Sequence, residues 1–364
     1  MLGGQVAMTH VISPIHARAL GGAIDRALDY LGRGQLPSGQ FRIERTVRAT
    51  AESPPTVTPD DAPFATSHIV HSLSFASPGA VCDMIARAVD YLRREQVGPG
   101  VWRHWNKANP RHRFVPPDLD DTACISYVLE RHGRGAPDNK RLLLVNRNRQ
   151  GLFYTWIIPR PVLTGNMQYW WLVLRDLNLG RALLFWRRTP ARRGDIDGVV
   201  NANVLLYLGE RPETGAVVDY LLRVVREARE ERCDMWYVDR YAFHYALSRA
   251  YAGGVARLGQ VREAARARLV ETAHADGRIG GHELHTALAV CALSTFGETS
   301  GLLDDAVAYL LRVQEADGGW ASQPFYYGSP LALYSWGSRE LTTAFCVEAL
   351  ERYQAGRATP HQVS

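Results

Sequence analysis

The sequence is nearly devoid of lysine. Lys107 and Lys140 are the only two among 364 residues, and the net charge of +5 comes from arginines spread along the whole chain. Because the basic residues form no concentrated patch or stripe, the pattern argues against a nucleic-acid-binding protein. A weak attraction for anionic substrates or for lipid head groups stays open.

The sequence gives no indication of disulfides, of membrane spans or of an export signal. The five cysteines lie far apart and form no Cys-x-x-Cys pair, which is typical of reduced thiols in a cytoplasmic protein. The longest apolar runs, such as residues 169–174, are too short to cross a bilayer. The first 16 residues lack the basic and then apolar profile of a signal peptide. We therefore expect a cytoplasmic protein without a transmembrane segment, while a transient association with membranes and a homodimer both stay open.

Several common catalytic and metal-binding motifs are also absent. The sequence has no glycine-rich phosphate loop and no nucleophile elbow. It has no local Asp-x-Cys pair, and His244, His282 and His285 lie apart from the cysteines, so we predict no zinc site.

What the chain does have is 46% hydrophobic residues, enough to form a large core and to exclude global disorder.

Three segments share one pattern: an amphipathic helix that ends in Tyr-Leu, then a glutamine, a glycine-containing turn and an aromatic residue. They are residues 27–41, 88–102 and 306–320. Glycine adopts the left-handed conformation that ends many helices, and the aromatic residue then folds back onto the helix end. Internal repetition of this kind predicts a repeated helical architecture.

A second series of segments is apolar on most faces, which is typical of helices buried on all sides. Its members are residues 64–73, 119–129, 199–208, 241–251, 283–293 and 340–350. Amphipathic segments such as 213–229 and 257–272 lie between them and suit an outer layer. We therefore predict an all-α fold: a single α/α-barrel domain over residues 1–364, with about six inner and six outer helices and almost no sheet.

Two regions interrupt this alternation. Residues 43–63 are rich in proline, threonine and aspartate and are predicted to form a loop. Residues 134–197 are aromatic and arginine-rich, and are predicted to contain an outer helix and a long excursion. Long excursions from compact domains are often lids or binding loops.

The most distinctive local feature is the run from Asp118 to Asp121, with carboxylates at 118, 120 and 121, at the start of a predicted inner helix. Acidic residues in a first helical turn commonly cap the helix and suit its dipole. In a barrel mouth, however, carboxylates this close cannot all ionise cheaply, so at least one proton is retained near neutral pH. A retained carboxylic proton is what general-acid catalysis requires. The residues alone leave both interpretations open.

The segment DLDDTA resembles the DxDD motif of class II terpene cyclases, and QEADGGW resembles the QxxDGxW repeat of squalene–hopene cyclases. The chain therefore resembles the prenyltransferase and squalene-cyclase superfamily of α/α barrels. The resemblance implies cyclisation of an isoprenoid, with or without a diphosphate, started by protonation of an alkene. It implies Asp120 as the acid and Asp118 and Asp121 as its supporting groups.

The resemblance also carries a departure. Typical class II cyclases place their active site between two barrels, and this chain is long enough for one. The site would then be the central cavity of this barrel, or be completed by a lid or a second protomer. The protonation chemistry requires no cofactor, whereas Mg²⁺ would be implied for a diphosphate substrate.

A carbocation must be shielded from water and stabilised without being trapped, and aromatic faces do both. We expect aromatic residues near the inner-helix starts, together with one asparagine and one histidine, to bind the substrate. This predicted set is Phe153, Trp156, Trp236, Tyr237, Phe325, Tyr326, Tyr334, Trp336, Asn201 and His68. Ordinary core packing is the alternative for each of them.

Two further polar groups could serve another chemistry. An oxygen-rich Mg²⁺ site could combine Asp118, Asp120 and Asp121 with Asp195, Asp197, Asn201, Asn203, Asp234 and Asp239; helix caps are the alternative. Arg187, Arg188, Arg192 and Arg193 could hold a diphosphate or form a solvated loop. Two hypotheses therefore stand beside the cyclase: a Mg²⁺-dependent enzyme that ionises a prenyl diphosphate, and a non-catalytic barrel that binds a lipid or a partner protein.

Overall fold

The computed structural model describes residues 14–49, 53–135, 138–160, 164–176, 184–187, 189, 191–328 and 333–358. Its helices are α1 (Pro14–Gly34), α2 (Pro63–Leu73), α3 (Pro78–Arg94), α4 (Leu119–Arg131), α5 (Lys140–Val145), α6 (Met167–Asp176), α7 (Gly198–Leu208), α8 (Gly215–Arg226), α9 (Arg240–Ala252), α10 (Arg262–Val270), α11 (Glu283–Thr295), α12 (Gly301–Val313) and α13 (Arg339–Ala358). Its strands are β1 (Ile43–Val47), β2 (Thr56–Asp60), β3 (Gln323–Gly328) and β4 (Tyr334–Ser338).

Six helices form a closed inner ring. In order they are α2, α4, α7, α9, α11 and α13, each packed on the next, and α13 packs back on α2. Helices α2 and α7 are buried at every residue, as expected for a helix with no polar face. The longer outer helices α1, α3, α8, α10 and α12 stand between them, and the short α5 stands outside α4 and α7, where Asn139 bonds Ser126 and Tyr207. The predicted α/α barrel is confirmed.

The repeated aromatic residue joins each outer helix to the inner helix that follows it. In all three repeats its backbone N–H donates to a threonine hydroxyl: Phe41 to Thr66 at 3.1 Å, Trp102 to Thr122 at 3.1 Å, and Trp320 to Thr343 at 3.0 Å. The indole N–H groups of Trp102 and Trp320 also donate to carbonyl oxygens in the preceding outer helix, at 2.8 and 2.9 Å. The aromatic residue therefore folds back onto the helix end, as predicted.

Local contacts also explain why the repeat has a glutamine and a glycine. Gly318 has φ of +95°, and a Cβ there would collide with the carbonyl oxygen of Arg26, so a side chain is excluded both by conformation and by space. The Gln314 side-chain amide donates to the carbonyl oxygens of Gly318 and Ala23, each at 2.9 Å. This glutamine therefore joins its own turn to the neighbouring outer helix α1.

Two predictions were wrong: that residues 43–63 form a loop, and that the chain contains almost no sheet. Strands β1 and β2 lie in that region, and the four strands form an antiparallel sheet in the order β2–β1–β4–β3. Pro59 is tolerated because β2 is an edge strand. The partner of β1 on its other side is β4, near the opposite end of the sequence, so no local pattern announces the pairing.

The long segment 134–197 contains α5, α6 and a helical turn at 184–187. The rest of the predicted excursion falls partly on residues 136–137, 161–163, 177–183, 188 and 190, which lie outside the described residues. Within the described part of the chain, no helix combines the length and the apolar character needed to cross a membrane.

Candidate active site

A cavity of about 690 Å³ lies at the N-terminal ends of the inner helices. Its walls come from the first residues of α2, α4 and α7, from the loops before α4, α7 and α9, and from strands β1, β3 and β4. The volume is within the usual range for cavities that bind small molecules. The sheet that the sequence did not predict therefore forms one of the walls of the cavity.

Most of the predicted site residues line this cavity. Those that do are Asp118, Asp120, Asp121, Trp156, Trp236, Tyr237, Tyr326, Tyr334 and Trp336. The rings pack against one another edge to face or in stacks. Trp156 and Trp236 meet edge to face at 5.6 Å, and Tyr326 stacks on Trp336 at 5.4 Å between centroids. The result is a largely aromatic wall facing three carboxyl groups.

Four predicted site residues are buried behind the lining. Phe153 and Asn201 hold each other by two hydrogen bonds of 3.0 Å between the Asn201 side-chain amide and the Phe153 backbone. Phe325 packs against the ring of Tyr237 at 5.6 Å, and His68 packs on Phe325 at 5.1 Å. These four support the lining residues and are not themselves among those that border the cavity.

Several lining residues were not anticipated from the sequence. The aromatic ones are Phe64, His104, Trp105, Phe114, Phe185 and Tyr327, and the basic ones are Arg45, Arg111 and Arg113. The segment from His104 to Val115 directly precedes the acidic run, so its closeness to the site could have been predicted from chain continuity. Arg45 lies on β1, and only the unpredicted sheet brings it to the cavity.

Asp120 is buried, 6% exposed, and both of its carboxyl oxygens are held. The Tyr237 hydroxyl donates to Oδ2 at 2.6 Å, and the Asn203 amide donates to Oδ1 at 2.8 Å. Burial raises the pKa of Asp120, while the bonds from Tyr237 and Asn203 and the charge of Arg249 act against that rise. The protonated form is therefore more favoured than in an exposed aspartate, while two donors are in place to stabilise the conjugate base.

Arg249 on α9 is a buried cation beside this network. It is 2% exposed, its Nη1 lies 3.3 Å from Asn203 Oδ1, and the same atom lies 3.5 Å from Nδ1 of His68. Burial, and then the charge of Arg249, lower the pKa of His68 well below its ordinary value, so that imidazole stays neutral. A single charged residue inside the otherwise apolar segment 241–251 was the sequence signal for this position.

Asp118 and Asp121 have different surroundings from Asp120. Asp118 is the N-cap of α4, since its Oδ1 accepts the Asp120 N–H at 2.7 Å. Oδ2 of Asp121 is buried without a hydrogen-bond partner. Burial, and then the charge of neighbouring carboxylates, raise the pKa values of Asp118 and Asp121 well above the ordinary one. The cap interpretation thus describes Asp118, and the three groups together favour a retained proton.

The remaining acidic residues of the predicted Mg²⁺ set organise loops. Asp239 caps α9 through the N–H groups of Tyr241 and Ala242, and Asp234 accepts the N–H groups of Val199, Trp236 and Tyr237. Asp197 accepts Met235 N–H, and Asp195 accepts Arg192 N–H. These N–H groups occupy the oxygens named, and none of the four residues borders the cavity, so the four are not placed to add ligands to Asp118, Asp120 and Asp121 for a Mg²⁺ ion. Among the residues that the structure describes, no group of three or more His, Cys, Asp or Glu side chains could hold a metal ion.

The described arginines of the stretch 187–193 do not line the cavity, although Thr189 between them does. Arg187, Arg192 and Arg193 are exposed and do not border the cavity, and Arg188 is outside the described residues. This arrangement matches a solvated loop.

Asp60, at the end of β2, holds two cavity tryptophans in place. Its Oδ1 accepts the indole N–H of Trp105 at 2.8 Å, and its Oδ2 accepts that of Trp336 at 2.6 Å. Both indoles border the cavity. One carboxylate therefore fixes the orientation of two ring faces, a function that the loop predicted for this region gave no reason to expect.

No protein-family model matches the chain, and no curated protein matches it. Solved structures do resemble it. A protein from Actinoplanes is 20% identical, with a TM-score of 0.68 over 93% of this chain and 100% of that one. The type II terpene cyclase MstE from Scytonema is 16% identical, with a TM-score of 0.67 over 93% of this chain and 99% of that one. An unsaturated glucuronyl hydrolase specific for heparin is 11% identical, with a TM-score of 0.53 over 94% and 98%.

These neighbours share the α/α toroid fold, and the two whose names state an activity, the terpene cyclase and the glucuronyl hydrolase, catalyse different reactions. Structures of MstE variants contain the substrate geranylgeranyl dihydroxybenzoate or the product merosterolic acid A. At such low identities the similarity establishes the fold alone. The function of this chain must be argued from the residues of its own cavity.

Proposed function

We propose that the protein is a class II-type terpene cyclase, which starts the cyclisation of an isoprenoid by protonating an alkene. The observation that carries the proposal is Asp120: a buried carboxyl group of raised pKa that borders an aromatic cavity. The similarity of the fold to that of MstE, whose structures contain a geranylgeranyl substrate, supports the same reaction class.

In the proposed reaction the carboxyl group of Asp120 gives its proton to the terminal alkene of the substrate. Alkenes are weak bases, so the acid must be protonated at neutral pH and also readily give up its proton. Burial acts toward the first property, because it raises the pKa of Asp120. The second follows from Tyr237 and Asn203, which donate to the carboxylate as its charge develops, and from the nearby cation of Arg249. Donors that are already in place need no reorganisation during the step.

The carbocation that forms is held by the rings that face the cavity. Cation–π attraction contributes about 0.5–2 kcal/mol per ring, more where water is excluded. The indoles of Trp105, Trp156, Trp236 and Trp336 are the largest rings that line the cavity. Transfer of a proton from the cyclised cation to water then ends the reaction, and a proton from solvent restores the Asp120 carboxyl group.

The test compares Asp120→Asn with Asp118→Asn and Asp121→Asn. Turnover is followed by mass spectrometry on C10 to C30 isoprenoids, with and without a chelator. Asp120→Asn should fold and bind normally but lose about 10²–10⁴-fold in turnover, the usual contribution of a general acid. Asp118→Asn and Asp121→Asn should lose less, because those groups only orient or tune the acid. Asp239→Asn, the same change at a helix cap away from the cavity, is the control.

Two results would overturn the proposal. One is an Asp120→Asn variant that turns over as fast as the wild type. The other is turnover that a chelator abolishes and Mg²⁺ restores, which would instead indicate ionisation of a prenyl diphosphate.

A further inference from the structure

Besides its three carboxyl groups, the cavity is bordered by three arginines. Arg45 comes from β1, and Arg111 and Arg113 come from the loop between α3 and α4. Arg111 and Arg113 are exposed and Arg45 is half-buried, whereas Asp120 and Asp121 are buried. Since exposed residues that border a cavity stand where it opens, the arginines mark the entrance and the acids lie deeper.

These entrance arginines lack the acidic partners that other arginines of the chain have. Arg339, for instance, pairs with Glu315 and Asp317. In the described part of the chain, Arg45, Arg111 and Arg113 have no carboxylate oxygen within ion-pair distance.

Two of the entrance arginines rest on aromatic rings instead. The guanidinium of Arg45 lies 5.6 Å from the ring centre of Tyr334, and that of Arg111 lies 5.8 Å from the ring centre of Trp105. Nε of Arg45 is buried without a hydrogen-bond acceptor. A buried donor left unsatisfied is unfavourable, so an acceptor arriving from solution would find a prepared position.

Ionisation of the deeper carboxyl groups Asp118 and Asp121, which would oppose this positive charge, is disfavoured. The pKa values of Asp118 and Asp121 are raised by burial and by neighbouring carboxylates, so their neutral forms are favoured. The entrance therefore presents cationic guanidinium groups in front of a cavity that is largely aromatic. Guanidinium groups bind multi-oxygen anions through paired N–H donors.

We propose that Arg45, Arg111 and Arg113 bind an anionic head group, a diphosphate or a carboxylate, at the opening of the cavity. The inference rests on the proposed function and adds to it the class of substrate: an isoprenoid with a negatively charged head. With the head held at the entrance, the chain extends inward and its terminal alkene is directed toward Asp120. A neutral hydrocarbon would have no comparable anchor.

The test measures equilibrium binding of three probes with the same C20 chain: geranylgeranyl diphosphate, geranylgeranoic acid and geranylgeraniol. Binding is followed through tryptophan fluorescence in the Asp120→Asn protein, so that turnover does not interfere. At least one anion should bind about tenfold tighter than the alcohol, as expected for charge-assisted hydrogen bonds. Its affinity should fall with added salt, and that of the alcohol should not.

Substitutions at the entrance then assign the effect. Two variants are compared: Arg45→Gln, and the double change Arg111→Gln with Arg113→Gln. Each should weaken binding of the anion by about tenfold or more and binding of the alcohol by less than about twofold. The double variant alters an exposed loop, so it remains informative if Arg45→Gln folds poorly. Arg87→Gln removes the same charge from the exposed face of α3 and is the control.

Equal affinities for the alcohol and both anions would overturn the inference, as would an Arg87→Gln effect as large as that of the entrance variants. Loss of alcohol binding in the entrance variants would also count against it, because it would indicate a damaged cavity and no specific anion site. Preference for one anion identifies the head group. Should Asp120→Asn remain active while the anion preference persists, the proposed acid is wrong and the head-group site stands.

Discussion

Tryptophans three residues apart have opposite functions in this molecule. Trp102 belongs to the barrel: it is fully buried, and its indole N–H donates to a backbone carbonyl of the preceding helix. Trp105 belongs to the wall of the cavity: it is 9% exposed, and its indole N–H donates to the carboxylate of Asp60. The same contrast separates Trp320 from Trp336 near the end of the chain.

The difference lies in what the indole N–H binds. A backbone carbonyl fixes the ring inside a helical unit, where it serves packing. The side-chain carboxylate of Asp60 on β2 holds the ring at the border of the cavity. We therefore expect changes in the barrel to act on stability, and changes in the cavity wall to act on binding and on the products.

The largest expected effect is the loss of stability on replacing Trp320, the aromatic residue of the last repeat. Trp320→Ala should lower the free energy of unfolding by about 3–5 kcal/mol, because it leaves a cavity in the core and removes the contact to α12. Trp336→Ala should cost clearly less, since one face of that ring already borders a cavity. Urea unfolding followed by far-ultraviolet circular dichroism measures both. Equal losses for the two variants would break the distinction between barrel and wall.

Asp197 lies where the barrel meets the loops of the cavity. It precedes α7 and accepts bonds from the Met235 N–H and from the Thr155 hydroxyl. Burial is the main cause that raises its pKa from 3.8 to about 6. A carboxyl group with a raised folded-state pKa binds its proton more tightly in the native protein, so its contribution to stability is lost as pH rises from about 4 to about 6.

Asp197→Asn should remove this dependence. As pH rises from 4 to 6, the wild type should lose up to about 3 kcal/mol of unfolding free energy relative to the variant. Above pH 7 the difference between the two proteins should stay constant. Urea unfolding at four or five pH values measures it. Asp239 has a lowered pKa, so Asp239→Asn should show no such gain over this range. A constant difference across pH would show that Asp197 titrates normally.

The barrel could be predicted from the sequence because its information is local. Helix periodicity can be recognised within one segment, and the glycine turn with its aromatic residue forms a pattern of about 15 residues. The inner helices start within one residue of the predicted segments. The acidic run was equally local. The sheet could not be predicted, because β1 pairs with a strand near the other end of the chain and its polar residues resemble those of a loop.

The site was predicted in part for the same reason. Aromatic residues beside inner-helix starts were found, whereas Arg45 and Asp60 depend on the sheet. Asn203 and Arg249 bear on Asp120 only because α4, α7 and α9 are neighbours in the ring. A polar residue in an apolar helix indicates that its side chain has a polar partner inside the protein. Only the packing of the helices shows which residue that partner is.

The smallest expected effect concerns Asp60, which links the sheet to the rings. Asp60→Asn keeps the shape but leaves one acceptor oxygen for two indole N–H groups, so either Trp105 or Trp336 loses its fixed orientation. Competing cation pathways that differ by about 1 kcal/mol then shift by a few-fold. We expect an altered product ratio in gas chromatography with mass detection, with turnover and the melting temperature nearly unchanged. Asp61→Asn, the same change one residue on and away from the cavity lining, should leave the ratio as it is. If Asp60→Asn makes the wild-type products in wild-type proportions, the orientation of these two rings does not guide the reaction, and the wall serves only to enclose the substrate.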